Sequence, residues 1–411
     1  MESSGRRLDT PDRPRVLALG TFQPGYPRHV LTLAGLRALG CPVDVLNIPV
    51  WDRLPDRLAP ARRWSALVAL GLRLLPAYAM LLARVPRRLA RADMVLIGYP
   101  GHLDMLVLGP LVRMSRRWLV FDPLVTLTDT LVEDRRLVTH GSARALVIRL
   151  LDRLALQLAD VVLADTEENA QYMRALAPSS QSRIVVVPVG ADEVLFSPDR
   201  VAAPEAPSPG WPAHAPGALR VLFYGTFIPL HGPETIVRAA ALLGSERASF
   251  MLIGQGQLAD ETRALAEDLG LRNAYFLPWV PYHELPAWIA AADAVLGIFG
   301  DTAKAARVVP NKVYQAMAMG AAIVTRDSPA VRRVLEHERS ALLVPPADPA
   351  ALADAIEALR DHERRARLGV AARRAFLKVA TVRVLAERLQ AALPTSRWAR
   401  PELGIVEGDG R

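Results

Sequence analysis

PNKVYQAMAMGAAIVT, residues 310–325, decides how the rest of the chain is read. A polar turn carrying Lys312 leads into a short helical stretch, Gly320 breaks it, and an apolar run of buried-strand character follows. A helix amino terminus presents unpaired backbone N–H groups and the positive end of a dipole. A pyrophosphate placed there is held by amides, with Lys312 as a mobile added charge.

Outward from this stretch the same rhythm repeats. Arg220–Tyr224, Phe250–Ile253, Ala274–Leu277, Ala294–Ile298, Ala322–Thr325 and Ala341–Val344 read as strands. Helices are predicted near Glu234–Leu243, Ala259–Leu269, Leu285–Ala291, Lys312–Ala318, Ala330–Glu336 and Pro349–Arg374. Before them, SPDRVAAPEAPSPGWPAHAPGA is too rich in Pro, Ala, Ser and Gly to bury a core and reads as a linker over 197–217. Ahead of the linker, strands at Arg15–Gly20, Val43–Ile48, Met94–Gly98, Trp118–Phe121, Val161–Ala164 and Ile184–Pro188 alternate with helical stretches, among them Ala143–Leu158 and Glu167–Leu176. Alternation of this kind implies βαβ units and parallel sheets. The expected fold is α/β, with two tandem Rossmann-like doubly wound domains facing across a cleft. The domains span 15–196 and 218–380, a helix at 381–396 crosses back to the first domain, and a disordered amino terminus (1–14) and a flexible tail (397–411) flank them.

Length and composition agree with this. A chain of 411 residues holds two cores, and 51% hydrophobic with 22% charged residues is a globular balance. Cys41 is the single cysteine, which excludes an internal disulfide framework and a multi-cysteine metal site and points to a reducing compartment. The polar start MESSGRRLDTPDRPR argues against a signal peptide, so a cytoplasmic location is expected. The basic excess of the first half is local: residues 51–91 hold nine arginines against Asp52 and Asp56. The segment around WSALVALGLRLLPAYAMLLARV is also apolar, but Arg73 near its centre, Gly71 and Pro76 argue against a membrane span. Two readings remain for residues 62–91: interfacial helices resting on anionic lipid, at the inner face of the membrane, or core helices with solvated arginines. Nucleic acid is not the expected partner, since the arginines lack interleaved aromatics.

Four strand-end loops of the second half carry one chemical theme. They are Gly225-Thr226-Phe227 through His231-Gly232, then Gly254-Gln255-Gly256, then Trp279-Val280-Pro281, then Gly300 through Asn311. Glycine at such turns lets backbone approach a ligand closely, and in doubly wound sheets ligands bind at the carboxyl ends of the strands. The order YGTFIPLHG, LIGQG, FLPWVPYHELPAWIAAADAVL and PNKVYQAMAMGAAIVT resembles the nucleotide-sugar half of the GT-B glycosyltransferases, in particular the retaining family-4 group. The resemblance covers residues 15–380, with its specific motifs within 221–345.

That resemblance implies transfer of a sugar from a nucleoside diphosphate sugar to an acceptor hydroxyl with retention. It implies Gly225 and Thr226 at the diphosphate, Gly254 and Gln255 bordering the nucleotide, Val280 beside the base, and Val309, Pro310, Asn311 and Lys312 as the phosphate turn. Gln315 aligns with the second acid of the family's Glu-x7-Glu pattern, which binds ribose. Arg307 stands where the first Glu would be, and Thr226 and His231 stand where the family carries Arg and Lys. Charge has then moved to Arg307 and Lys312, with His231 helping if protonated; otherwise His231 satisfies a loop carbonyl and Arg307 is solvated. In the first half, Gly20-Thr21-Phe22-Gln23-Pro24-Gly25 occupies the first loop without the common paired glycine, and Asp122 falls where many relatives carry a His. Asp122 is thus a candidate to accept from a sugar hydroxyl or assist proton removal, or else caps the following turn. His102 is a second catalytic candidate, and Asp129, Arg135 and Arg136 border the expected acceptor site. The resemblance implies no divalent metal and no other cofactor, because protein cations and helix dipoles stabilise the leaving diphosphate. The acceptor is expected to be a glycan or a lipid-linked molecule. A catalytically impaired sugar-nucleotide-binding or scaffold protein and a nucleotide-sugar epimerase are the alternatives.

Overall fold

The computed structural model describes residues 13–51, 64–201 and 210–393. Except for Arg13 and Pro14, the stretches 1–14 and 397–411 lie outside the described residues, as do Arg53, Arg57, Arg62, Arg63 and the middle of the linker. Two six-stranded sheets, parallel at every pairing, form the architecture. The first contains β1 (Val16–Gly20), β2 (Val43–Asn47), β3 (Met94–Ile97), β4 (Trp118–Phe121), β5 (Val161–Ala164) and β6 (Arg183–Val186), in the order β2-β1-β3-β4-β5-β6. The second contains β7 (Leu219–Tyr224), β8 (Ala248–Ile253), β9 (Ala274–Leu277), β10 (Ala294–Leu296), β11 (Ile323–Arg326) and β12 (Leu342–Val344), in the order β12-β11-β10-β7-β8-β9. Each chain segment starts on an inner strand and winds both ways, and its inner strands are largely apolar because both faces are covered. VLALG of β1 is buried at every position.

In the first domain α1 (Pro27–Ala38) covers one face, while α2 (Trp64–Leu89), α3 (His102–Met114), α4 (Ala143–Leu158) and α5 (Glu167–Leu176) cover the other. The 62–91 segment resolves into one continuous 26-residue helix, α2, with Pro76 and Pro86 inside it. Both prolines stand on its exposed side, where the carbonyls that lose a partner meet water. Val68–Leu89 is long and apolar enough to cross a membrane by length and composition. Its inner face, however, seats Leu81, Val85 and Leu89 in the first-domain core, which is the core-helix reading for that face.

The second domain adds α6 (Pro233–Leu243), α7 (Ala259–Asp268), α8 (Leu285–Ala291), α9 (Ala303–Arg307), α10 (Asn311–Met319), α11 (Pro349–Glu357) and α12 (His362–Val379). Gly320 ends α10 in the left-handed region at φ +68°, the role its position in 310–325 required. The single helix expected over 349–374 is two, because Asp361 Oδ1 accepts from the amides of Glu363 (2.9 Å) and Arg364 (3.1 Å) and starts α12 afresh. The helix expected at 330–336 is a single turn, Pro329–Arg332. The carboxyl end of the linker is not a free tether: Trp211 donates to Ser249 Oγ (3.2 Å) and packs near the Trp288 ring. Finally α13 (Val382–Gln390) returns to the first domain and lies on α1, where Gly35 has no side chain to keep Leu389 away.

Candidate active site

The carboxyl ends of β7 and β8 meet backbone to backbone. Gly225 (φ +144°) and Gly254 (φ +138°) adopt conformations that L side chains avoid, and a Cβ on Gly254 would strike the Gly225 carbonyl. Phe227 N donates to Gln255 O at 3.0 Å, closing the loop pair, and Gln255 itself is exposed. Into this junction points Lys312. Its ammonium lies 2.8 Å from the position a Cβ on Gly225 would take and 3.9 Å from the centre of the Phe223 ring. The side chain is 5% exposed, and Nζ has no hydrogen-bond partner among the described residues. Burial holds its pKa well below the ordinary lysine value. Pro310 precedes α10 and offers no side-chain cap, so the helix dipole opens beside this cation.

Two second-domain expectations, for His231 and Arg307, need correction. His231 Nδ1 pairs with the Thr226 carbonyl, and burial first, then Lys312, hold its pKa well below 6.5. It is a neutral donor to its own loop, not a phosphate cation. Arg307 does not face the diphosphate turn either: its guanidinium pairs with Asp129 and Glu133 of the other domain. Gln315 spans two tyrosines, Oε1 accepting from Tyr224 Oη and Nε2 donating to Tyr282 Oη, each at 3.0 Å. Each end of its amide makes one bond there, and Oε1 keeps a second lone pair and Nε2 a second N–H. Val280, half-buried, stands beyond the end of β9, and Val309, Pro310 and Asn311 lead directly into α10.

The first-domain candidates are frameworks, not open groups. Asp122 is buried, and both of its oxygens accept from Arg28 Nε (3.1 and 2.9 Å) while Oδ2 also accepts from Thr32 Oγ1. Arg28 in turn donates to the carbonyls of Val187 (2.6 Å) and Pro188 (2.8 Å). The pair ties α1 to the ends of β4 and β6, which leaves Asp122 neither a general base nor a cap. His102 is wholly buried behind the strand ends, Nε2 3.3 Å from Asp152, and burial depresses its pKa. Asp152 also accepts from the amides of Leu127 (2.9 Å) and Thr128 (2.7 Å), so the two support the loop after β4.

Sequence reading missed Asp165, at the end of β5. Burial raises its pKa from 3.8 to about 6, against the opposing bond from Asn169 Nδ2 at 2.6 Å. A raised carboxyl binds its proton more tightly folded than unfolded, so its stabilisation is complete below the unfolded value and is lost as pH climbs through about 6. Asp165→Asn, which keeps the acceptor for Asn169, is therefore expected to raise stability at pH 8 by up to about 3 kcal/mol and to change little at pH 3.5. Paired melts at the two pH values check it; an equal shift at both would refute the titration.

The two domains are latched at their strand ends. After β4 the chain forms a π-helical turn, Thr128–Asp134, which meets α9. Thr302 Oγ1 bonds Asp134 at 3.0 Å, Lys304 Nζ donates to Thr130 Oγ1 at 2.8 Å and lies 3.9 Å from Asp129, and Arg307 joins Asp129 and Glu133. Thr166, the cap of α5, donates its hydroxyl to the Arg307 carbonyl at 2.6 Å, and Arg333 pairs with Glu168 at 2.7 Å. The Arg307 guanidinium also stacks over Tyr172, 4.2 Å from the ring centre. Asp129 and Glu133, four apart in TLTDTLVEDRR, were the available signal: two carboxylates on one helical face facing a basic α9. A surface cavity of about 460 Å³ near Ala292, Gly320 and Arg365 opens at the opposite strand edge, away from these groups.

Lys312 is thus a cation buried at a helix amino terminus, between two interlocked glycine loops and opposite a second Rossmann-like domain, without a counter-ion among the described residues. The family model of glycosyl transferases group 1 matches residues 218–362. D-inositol 3-phosphate glycosyltransferase of Nocardia farcinica is 31% identical over 334 residues, covering 74% of this chain and 70% of that protein. Among solved structures, sucrose-phosphate synthase of Thermosynechococcus elongatus superposes with a TM-score of 0.68 at 18% identity, over 93% of this chain and 98% of the other. HepE of Anabaena, solved with UDP and glucose, superposes with a TM-score of 0.63 at 17% identity, over 92% and 99%. Two facing parallel sheets, the matched second domain and a relative aligned along most of both chains lead to one conclusion: this chain is a glycosyltransferase of the GT-B fold and belongs to the group 1 glycosyl transferases.

Proposed function

We propose that the enzyme moves a sugar from a nucleoside diphosphate sugar to an acceptor hydroxyl with retention of anomeric configuration. The observation that carries this is Lys312, a buried ammonium at the uncapped start of α10 without a hydrogen-bond partner among the described residues. A diphosphate there would supply the counter-charge that the protein withholds, and the structural neighbour HepE, solved with UDP, supports the class of donor. As the C1–O bond breaks, negative charge grows on the β-phosphate, and Lys312 and the α10 amides stabilise it. The acceptor oxygen bonds C1 from the same face and passes its proton to the departing β-phosphate oxygen. The engagement of Asp122 by Arg28 and of Asp165 by Asn169 supports a path without a carboxylate nucleophile.

Gly225 and Thr226 then line the diphosphate, Gly254 and Gln255 border the nucleoside, and Val280 approaches the base. A divalent ion is not part of the proposal, in which Lys312 and the α10 amides carry the charge of the leaving diphosphate. We place the enzyme in the cytoplasm, peripherally on the inner face of the membrane through α2, with a glycan or lipid-linked acceptor.

A thermal-shift panel of nucleoside diphosphates and their sugars tests the donor, since a bound donor stabilises by mass action: at 100 times its Kd the gain is about 2.7 kcal/mol. Proton NMR of the product reads the anomeric configuration. An inverted product would overturn retention, and no response to any nucleoside diphosphate would overturn the donor site. Cell fractionation should release the protein from membranes with high salt; resistance to extraction would refute peripheral attachment.

A further inference from the structure

The helix layer over the first sheet is apolar on its outside as well as its inside. On α2, Leu70, Leu74 and Leu81 face inward, while Val68, Leu72 and Leu75 recur at helical spacing on the solvent side, the last two 67% and 69% exposed. α4 repeats the arrangement: Ala155 and Leu156 are buried, and Leu146, Val147 and Leu150 form an outward ridge, each more than half exposed. Between them α3 exposes Val107 and Met114. Eleven of the twenty large apolar side chains exposed among the described residues stand on these three helices.

Among the described residues, the exposed charge on α2, α3 and α4 has one sign. Arg84 and Arg87 on α2 and Arg144 and Arg149 on α4 are exposed beside the ridges. The described acids of the three helices, Asp104 and Asp152, are buried and hydrogen-bonded inward, Asp104 to Thr21 and Tyr78, Asp152 to the amides of Leu127 and Thr128. The ridges also begin at the cleft end of the domain. The first turns of α2 pack with Val50 and Trp51, just past β2, and α4 starts shortly after the π-helical turn that contacts Arg307.

We propose that α2, α3 and α4 form one docking face for an anionic bilayer surface. The proposal rests on the peripheral attachment argued above and extends it from one helix to three. Apolar side chains entering the headgroup boundary and arginines attracted to anionic lipid add in such a contact. A face with three parallel ridges fixes the tilt of the first domain, which a single helix does not, and brings the cleft mouth to the lipid.

Flotation of the full chain with vesicles of phosphatidylcholine, with and without phosphatidylglycerol, tests it. The protein is expected to float with the anionic vesicles only. Leu146→Gln with Leu150→Gln on α4, and Leu72→Gln with Leu75→Gln on α2, should each lower binding about tenfold. Arg144→Gln with Arg149→Gln should lower it by about fivefold per arginine. These positions are exposed, so melting and the response to UDP should be unchanged. No flotation, equal binding to neutral vesicles, or loss with the α2 pair but not the α4 pair would overturn the proposal. A dimer in solution that becomes monomeric with the α4 pair would overturn it too, since the face would then cover itself. Missing UDP response in the unmodified protein would fail the donor reading while leaving the flotation result to stand alone.

Discussion

Lys312→Met is expected to stabilise the free enzyme while abolishing its response to nucleoside diphosphates. The two effects share one cause. The ammonium is removed from water without a hydrogen bond or carboxylate among the described residues, so the folded state bears its desolvation, offset in part by the face of Phe223. Methionine fills similar space without the charge. For the same reason an arriving diphosphate gains a desolvated ionic contact, and removing one partner of such a contact costs about 2–5 kcal/mol. Calorimetry should show nucleoside diphosphate affinity falling about 100-fold or more, with the free nucleoside bound within a few-fold of the original. Equal losses for both would show that the turn does not hold phosphate.

A pH dependence accompanies this. A lysine whose folded pKa is lowered binds protons less well folded than unfolded, so the stability of the free protein rises with pH until the unfolded lysine titrates near 10.5. That rise should be absent in Lys312→Met. Its persistence would assign it to another group, of which Lys304, also depressed by burial, is the first candidate.

Asp129→Ala is the second large effect. Asp129 is 1% exposed and neutralises Arg307 directly and Lys304 at 3.9 Å. Its removal leaves Lys304, 5% exposed, without the carboxylate it lies beside, and Arg307 with Glu133 alone. Breaking a buried pair by deleting one partner costs about 3–5 kcal/mol. Because the pair spans the domains, the loss should appear as opening: a larger radius of gyration in X-ray scattering and lower transfer activity at saturating donor. Asp129→Leu combined with Arg307→Met and Lys304→Met should recover much of the stability, since a packed apolar set replaces the ions. Failure of the single variant to open or destabilise the protein would show that the latch does not hold the domains.

The succession of strands and helices and the 310–325 unit were legible because they are local: an apolar run, a glycine, a helix start. Gly320 and Lys312 were found this way. Side chains that meet over long separations were not. Arg28 gives no signal within α1, yet it consumes Asp122, 94 residues later. Arg307 reads as a displaced phosphate ligand until Asp129, 178 residues earlier, is seen against it. Strand periodicity places the end of β4 but says nothing of which arginine arrives there. The 62–91 segment was ambiguous for another reason: α2 is apolar on both faces, so neither face alone defines its environment.

The return of α13 to the domain where the chain began has a mechanical consequence. The polypeptide passes between the lobes twice, and the two passages touch: a side chain on Gly190 would meet the Ala380 carbonyl at 2.8 Å, and Glu193 accepts from the amide of Val382 at 3.1 Å. Paired tethers at one spot act as a door hinge, permitting rotation about the line through them and resisting twist or sliding. The Arg307–Asp129 pair ties the same two lobes at a second place, so their mutual position rests on chain crossings as well as on ion pairs.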